Sequence, residues 1–362
     1  MPLAEPFKNW IHPGVVDHLA EDVARVYPSF DIDGFRSRAR GLDRLELKAR
    51  VTHVARALGH HLPEAWPHAA SILQAILPSP LDREADFGEN VRVWPLTEVV
   101  AELGLAHPEA SLDLLGEMTR RWSSEFAIRP YIVRWPELTD NVLDCWVTHP
   151  DPHVRRLVSE GSRPRLPWGI RLQHATRSPE RGLQRVLKLV DDPSAYVRRS
   201  VANHLGDVAK DHPALAVRAA RGILEQPSDL RLQLARHGLR WLLKCGRPDA
   251  LALFGQDAEV LVSNLRVGST VAIGGRLPVS AWLTAAGGTQ ARIDLVWQWP
   301  TTRGWGSKTF RAGTVALPRS PYTFDHDFPI RSSSGRTIRS GAHRLTLRVN
   351  GRDQPVVDFT VV

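Results

Sequence analysis

The sequence predicts a multidomain protein with a helical part followed by a β part. Residues 1–256 are predicted to form a HEAT-like α-helical solenoid, and residues 257–362 a seven-stranded immunoglobulin-like β-sandwich. Three observations support this fold class. Apolar residues recur every three or four positions through the first part, as in amphipathic helices. Similar segments recur within it at offsets of 43 and 33 residues, the range of two-helix repeats. After Gly255 the pattern changes to the alternation of short strands.

The first 118 residues have the pattern of packing helices. Residues 10–62 carry two apolar stripes at helical spacing, with polar faces of mixed sign. Residues 79–93 form a polar stretch typical of a loop. No residue before 118 indicates chemistry.

The repeat is clearest in three segments: DPHVRRLVSEGS (151–162), DPSAYVRRSVANHLGD (192–207) and PSDLRLQLARHGLRWL (227–242). Their alignment makes Val154, Val197 and Leu230 equivalent. Stacked two-helix units build a curved solenoid with a concave side. The alignment predicts one wall of charged side chains on it: Arg156, Glu160, Arg199, Asp207, Arg236, Arg240 and Lys244.

Residues 257–362 contain seven runs of alternating residues separated by Gly, Pro and Ser turns. This is typical of an antiparallel immunoglobulin-like sandwich. Two basic segments, 301–308 and 331–340, are predicted as loops between strands. Their cations are either solvated turn residues or contacts to a polyanion: Arg303, Lys308, Arg331, Arg336 and Arg339.

The net charge of +8 is unevenly distributed. Residues 1–118 carry a net charge of −7, residues 119–256 carry +9, and residues 257–362 carry +6. We therefore expect a polyanion to contact the later parts of the chain. Only six of the 47 basic residues are lysine, so the excess of arginine is not in itself a sign of phosphate recognition.

The composition excludes several classes of protein. No segment approaches the length of about 20 apolar residues that a membrane span needs, and the N-terminus lacks the features of a secretory signal. With two cysteines, a disulfide framework or thiolate metal site is not expected. No metal cluster, P-loop or dinucleotide turn is present, so we expect no metal and no cofactor. A protein of the reducing cytoplasm fits these features.

The most informative stretch runs from Asp151 to Trp168. Its first half predicts a helix that ends just after Glu160, because Pro164 and Pro167 forbid continuation. A rigid turn bearing Arg163 and Arg165 then presents Trp168. One interpretation is a surface Arg156–Glu160 ion pair followed by a buried tryptophan. The other is a binding edge for a polyanion, with a carboxylate reserved for chemistry.

The run SEGSRPRLPW within this stretch resembles the signature of the AlkC family of bacterial DNA glycosylases. The resemblance implies a HEAT-like body with, in one branch of the family, a C-terminal immunoglobulin-like domain. It also implies that Glu160, Asp207 and Glu125 are the catalytic carboxylates and that Trp168 contacts the lesion. Arg156, Arg163, Arg165 and the other cations named above would then bind DNA.

The implied activity is that of a monofunctional glycosylase of base excision repair. It would release cationic N3-alkylated bases (3-methyladenine, and 3-methylcytosine) from duplex DNA, as a monomer, by bending the DNA without flipping the base. A carboxylate would stabilise the oxocarbenium-like sugar. The alternative is a non-catalytic HEAT-repeat scaffold or DNA-binding protein, since solenoids usually serve as binding modules. Carboxylates on a basic wall weaken the binding of a polyanion, so a scaffold that only binds DNA would not need them. Their presence there favours the enzyme.

Overall fold

The computed structural model describes residues 6–82, 90–332 and 337–362. The chain divides into two compact units. The first contains the residues up to Asp211 together with Gln226–Gly238, and the second contains His212–Glu225 and Leu239–Val362. The predicted domain boundary at residue 256 stays a prediction. No described helix is long and apolar enough to cross a membrane.

Helices dominate the first part of the chain, as predicted. Three short 3₁₀-helices lie at Phe7–Trp10, Leu42–Arg44 and Gly104–Ala106 within the described ranges. The α-helices of the described residues are α1 (Pro13–Val26), α2 (Ile32–Arg38), α3 (Leu47–His61), α4 (Trp66–Ala75), α5 (Val93–Leu103), α6 (Pro108–Thr119), α7 (Arg129–Arg134), α8 (Pro136–Trp146), α9 (Pro152–Gly161), α10 (Gln173–Arg177), α11 (Glu180–Leu187), α12 (Ala195–Asp211), α13 (Pro213–Leu224), α14 (Asp229–Gly238), α15 (Arg240–Lys244) and α16 (Pro248–Ala252).

The repeat segments form α9, α12 and α14, with α12 packed between the other two. Val154 and Val197 are buried at equivalent positions, as the alignment predicts. The predicted equivalence of Leu230 is wrong, because its side chain is exposed and α14 turns Leu234 and Gly238 inward instead. A Cβ at Gly238 would lie 2.6 Å from Leu205, so the small residue permits this close helix packing.

The predicted charged wall therefore does not continue along one helix. α14 ends at Gly238, and Arg240 and Lys244 belong to the separate helix α15 in the second unit. Arg199, Arg236, Arg240 and Lys244 are exposed, whereas Asp207 is buried. The alignment placed these cations and Asp207 on one surface, but the cations are exposed and the carboxylate is buried.

The second unit contains the sandwich. Its described strands are β1 (Leu261–Val267), β2 (Thr270–Val271), β3 (Arg276–Thr284), β4 (Gln290–Thr301), β5 (Gly304–Ala316), β6 (Tyr322–Pro329), β7 (Gly341–Val349), β8 (Arg352–Asp353) and β9 (Val357–Val361). One sheet has the order β1-β3-β6 and the other β2-β9-β7-β4-β5, with β8 paired to β7. Alternate side chains of both sheets form the core around Trp297.

The seven predicted strands are present, with two differences. The two-residue strands β2 and β8 are additional, and β2 pairs with β9 in parallel rather than antiparallel fashion. The segment 301–308, predicted as a loop, is largely the tip of the β4–β5 hairpin, because cross-strand pairing continues to Thr301 and Gly304. Gly304 has a φ of 121°, which glycine adopts without strain at such a turn.

Candidate active site

The stretch Asp151–Trp168 folds as a capped helix followed by an open turn. The Asp151 side chain accepts a hydrogen bond of 2.8 Å from the His153 backbone N–H and caps α9, which ends at Gly161. Trp168 follows the two prolines, and 67% of its surface is exposed. The interpretation with a surface ion pair and a buried tryptophan is therefore wrong about the tryptophan. The polar face of α9 and the exposed indole border the same cavity.

This cavity has a volume of about 450 Å³ and lies within the first unit. Glu125 and Glu160 line it, together with Arg156, Arg163 and Trp168. The structure therefore brings together five residues that the sequence analysis singled out. Asp207 is not part of the lining; it lies directly behind Arg163, at 2% exposure.

One side of the cavity is an aromatic wall, formed by Phe7, Trp10, Trp94, Trp122 and Phe126. The Trp94 ring stacks on Trp122 at 5.5 Å and on Phe126 at 5.8 Å between centroids. Trp10 meets Trp122 edge to face at 6.2 Å. Three of these five rings come from the first third of the chain, where the sequence indicated no chemistry. Their faces attract a cation or an apolar sugar edge.

Charged side chains form a second group at the site. We define the ion-pair cluster as Glu125, Arg156, Glu160, Arg163 and Asp207. Glu125 lies in the turn before α7, and Pro130 occupies the first turn of that helix. Arg156 Nη1 is 2.9 Å from Glu125 Oε2, which also accepts a 2.8 Å bond from the Ser123 hydroxyl. The predicted Arg156–Glu160 pair is looser, at 3.9 Å.

Glu160 instead pairs with Arg163, whose Nη1 donates to Glu160 Oε1 at 2.6 Å. Arg163 Nε donates to Asp207 Oδ2 at 2.9 Å, so one buried guanidinium joins two carboxylates. Burial raises the pKa of Glu160. The charges of Arg156 and Arg163 and a hydrogen bond from Ser200 more than reverse this, so that its pKa lies below the ordinary value of 4.5. Glu160 is therefore ionised at neutral pH.

A buried hydroxyl chain supports Glu160 from α12. Ser159 Oγ donates to Ser200 Oγ at 2.6 Å, and Ser200 Oγ donates to Glu160 Oε2 at 2.6 Å. His204 lies one turn further along α12, and its Nδ1 donates to the Ser159 carbonyl at 3.1 Å. Burial lowers the pKa of His204 to about 4, so the imidazole is neutral at pH 7. Both oxygens of Glu160 are thus held by donors.

Arg129 holds the backbone of the turn that links Glu160 to Trp168. Its fully buried guanidinium donates to the carbonyls of Gly161 at 2.7 Å, Arg163 at 2.9 Å and Ile170 at 2.7 Å. Burial lowers its pKa to about 10, and the group stays charged at neutral pH. A side chain on α7 therefore fixes the turn at three points.

The remaining predicted DNA-binding residues lie outside the cavity. Arg165 pairs with Asp211, with Nε 2.7 Å from Oδ2, and keeps a third of its side chain exposed. Arg303, Lys308, Arg331 and Arg339 are exposed in the second unit. Arg336 lies outside the described residues. In the described ranges, no group of three or more His, Cys, Asp or Glu is placed to hold a metal ion.

Sequence reasoning missed Lys48, Arg129, Ser200, His204 and the first-third aromatic rings. A signal existed for Ser200 and His204, since both are polar residues on the apolar stripe of α12. Lys48 stands in the first turn of α3, where the helix dipole disfavours a cation. For Arg129 and the aromatic rings the sequence carries no signal, because their roles depend on tertiary packing.

Comparison with known proteins agrees with this architecture. Residues 261–362 match the family model described as "Uncharacterised protein YhaZ, C-terminal Ig-like domain". The chain is 32% identical over 360 residues to the uncharacterized protein YhaZ of Bacillus subtilis (strain 168), covering 96% of this chain and 97% of that one. It is 31% identical to the Pseudomonas fluorescens alkylpurine DNA glycosylase AlkC, solved bound to DNA containing an abasic site analog. That match has a TM-score of 0.89 and covers 99% of this chain and 100% of the AlkC chain.

Fold and site together define a helical-repeat protein with a C-terminal immunoglobulin-like domain and a carboxylate-lined cavity in its helical part. Within that class, the near-complete alignments place it among the relatives of YhaZ and AlkC. The chain belongs to the AlkC family. The resemblance carried by SEGSRPRLPW is thereby confirmed.

Proposed function

We propose that this protein is a DNA repair glycosylase that hydrolyses the N-glycosidic bond of cationic N3-alkylated bases in duplex DNA, 3-methyladenine and 3-methylcytosine among them. One observation carries the proposal: two carboxylates, Glu125 and Glu160, share a cavity with an aromatic wall and an exposed tryptophan. Kinship with AlkC, an alkylpurine DNA glycosylase, supports the same assignment.

The arrangement suits a leaving group that is already cationic. An N3-alkylated base departs without protonation, so the reaction needs no general acid. As the bond breaks, positive charge develops on the deoxyribose. A fixed carboxylate stabilises that charge most effectively in a dry site, where no solvent has to reorganise. Glu160 meets these conditions because it is ionised and only 5% exposed.

The two lining carboxylates differ in the use of their oxygens. Glu160 accepts from Arg163 on Oε1 and from Ser200 on Oε2, and is held rigidly. Glu125 uses the single oxygen Oε2 both to accept from the Ser123 hydroxyl and to pair with Arg156. We therefore assign electrostatic stabilisation to Glu160, and to Glu125 Oε1 the positioning of the attacking water. Asp207 acts behind them by orienting Arg163.

Arg163 takes a different role from the predicted phosphate contact, because its donors are directed at two buried carboxylates. The exposed cations are better placed for phosphates. We assign this role to Arg199, Arg236 and Arg240, to Lys244, and to the sandwich residues Arg303, Lys308, Arg331 and Arg339. Trp168 would enter the bent duplex at the lesion as a wedge, without base flipping.

The test is release of free base by the purified monomer. DNA treated with a methylating agent should yield N3-methyladenine, and a duplex containing uracil should yield little base. The product strand should remain intact until alkali cleaves the abasic site, since the proposal gives no lysine a nucleophilic role. DNA binding without release of any base would instead favour the non-catalytic scaffold.

A further inference from the structure

The backbone of Trp168 is held in an unfavourable conformation. Its φ is 64°, in the left-handed region that bulky residues rarely enter. The other described non-glycine residues with positive φ are Asn264 and Asn350, and asparagine tolerates that region. Burial of the indole does not offset the strain, since 67% of the residue is exposed. Contacts made by the surrounding structure must therefore hold the residue in place.

Lys48 supplies such a contact from 120 residues earlier in the chain. Its Nζ donates to the Trp168 carbonyl at 3.2 Å and lies 4.5 Å from the centroid of the Phe126 ring. Glu98 Oε1 is 3.9 Å away, too far for a direct hydrogen bond, and attracts the ammonium as a charge. The ammonium thus joins the strained residue to the aromatic wall.

Local helix physics does not explain a lysine at this position. Lys48 is the second residue of α3, where the partial positive charge of the helix N-terminus repels a cation. The interactions with Trp168, Phe126 and Glu98 offset that repulsion. A second contact lies further along the turn, where Arg129 Nε donates to the carbonyl of Ile170, two residues past Trp168. The backbone is therefore held at Trp168 and again at Ile170, and the Lys48 side chain is partly accessible to solvent.

We propose that Lys48 is a positioning residue, which holds the Trp168 carbonyl and so fixes the direction in which the exposed indole projects. The inference deepens the proposed function and rests on it, because the projecting indole is the proposed lesion contact. Lys48 acts through Trp168 and does not itself touch the reacting atoms. A direct phosphate contact by the same ammonium is the competing explanation, and the two differ in how Lys48 and Trp168 couple.

The experiment compares Lys48→Met with Lys8→Met. Lys8 is a matched control, because its side chain is 37% exposed, against 36% for Lys48, and forms a 3.0 Å surface ion pair with Glu46. In single-turnover release of N3-methyladenine at saturating enzyme, Lys48→Met should slow release about tenfold while DNA affinity stays within about twofold. Lys8→Met should match the wild type, and Lys48→Arg should restore part of the rate.

The double variant separates positioning from phosphate binding. In a Trp168→Ala background, Lys48→Met should cause no further loss, because the residue it positions no longer carries an indole. An equal loss in both backgrounds would overturn the proposal in favour of a phosphate contact. Wild-type release by Lys48→Met, or weakened affinity with full release at saturation, would overturn it as well.

A second readout does not depend on activity. In protein labelled with 5-fluorotryptophan, the Trp168 ¹⁹F resonance is identified by its loss in Trp168→Phe. Lys48→Met should shift or broaden that resonance, and Lys8→Met should leave it unchanged. If the wild type releases no base from any DNA, the proposed function fails, yet this spectrum still decides the positioning role. An unchanged Trp168 resonance in a folded Lys48→Met variant contradicts it.

Discussion

The two chemical faces of the cavity differ in where their residues come from. The ion-pair cluster comes from α9 and the turn after it, from α12 and from the turn before α7, and three of its five charges lie within the recognisable repeat. The aromatic wall takes Phe7, Trp10 and Trp94 from the first third of the chain, which carries a net charge of −7. Charge patterning therefore locates one face and gives no sign of the other. The activity we propose needs both.

The faces also differ in how they are stabilised. Every member of the ion-pair cluster has at least one charged partner within 3 Å, so removing either arginine leaves a carboxylate without its close partner. The aromatic rings interact through stacking and edge contacts, each of which contributes modestly. Loss of a cluster arginine should thus affect stability first, and a substitution in the wall should affect substrate handling first.

The largest effect on stability is expected for Arg163→Ala. It would leave the buried Glu160 and Asp207 without their shared guanidinium and should lower the free energy of unfolding by about 3–5 kcal/mol. Arg165→Ala is the control, since its pair with Asp211 is partly exposed and is worth about 1 kcal/mol or less. Urea denaturation measures both. An equal decrease in the free energy of unfolding for both variants would mean that the buried pairs of Arg163 contribute no more than the exposed pair of Arg165.

A smaller effect, on catalysis, is expected for Trp122→Leu in the aromatic wall. Loss of one ring face from the cavity should slow release of cationic N3-methyladenine about fivefold at saturating enzyme, with little change in thermal stability. Trp282→Leu, which removes an exposed tryptophan of the sandwich, should leave the rate unchanged. Identical rates for Trp122→Leu and the wild type would show that the aromatic wall does not contribute to base release.

The smallest effect is expected for Ser200→Ala and depends on pH. Because the pKa of Glu160 is depressed, wild-type release should stay level from neutral pH to about 4.5, and stability from Glu160 should be lost only as pH falls further. Removing the Ser200 hydrogen bond raises that pKa, so the acid limb of the profile moves to higher pH. At pH 7 the rate should change by less than about twofold.

The control for this substitution is Ser162→Ala, whose buried hydroxyl bonds the Val158 carbonyl and no carboxylate. The groups around Glu160 include Arg156, Arg163, Asp207 and His204. His204, with its pKa lowered to about 4, also costs stability as pH falls from 6.5, and both variants share that loss. Coincident profiles for the two serine variants would rule out a role for Ser200 in the ionisation of Glu160.

The sequence was sufficient for the fold class and for part of the site. Periodicity locates helices and strands because it reflects burial along one element, and SEGSRPRLPW marks the turn at Trp168. The sequence did not predict which charged side chains pair with each other. Arg156 is one turn from Glu160 along the helix, yet it pairs closely with Glu125 from another element. Lys48 and Arg129 meet the same turn from α3 and α7, a convergence that only packing determines.

The central claim is that Glu160 stabilises positive charge in the transition state without contributing to DNA affinity. The most direct test is single-turnover release of N3-methyladenine by Glu160→Gln at saturating enzyme, with exposed Glu137→Gln as control. The account predicts a fall of about 10²–10³-fold in rate, with affinity unchanged or higher because a negative charge near the polyanion is gone. Weakened DNA binding with the rate per bound complex retained would contradict it.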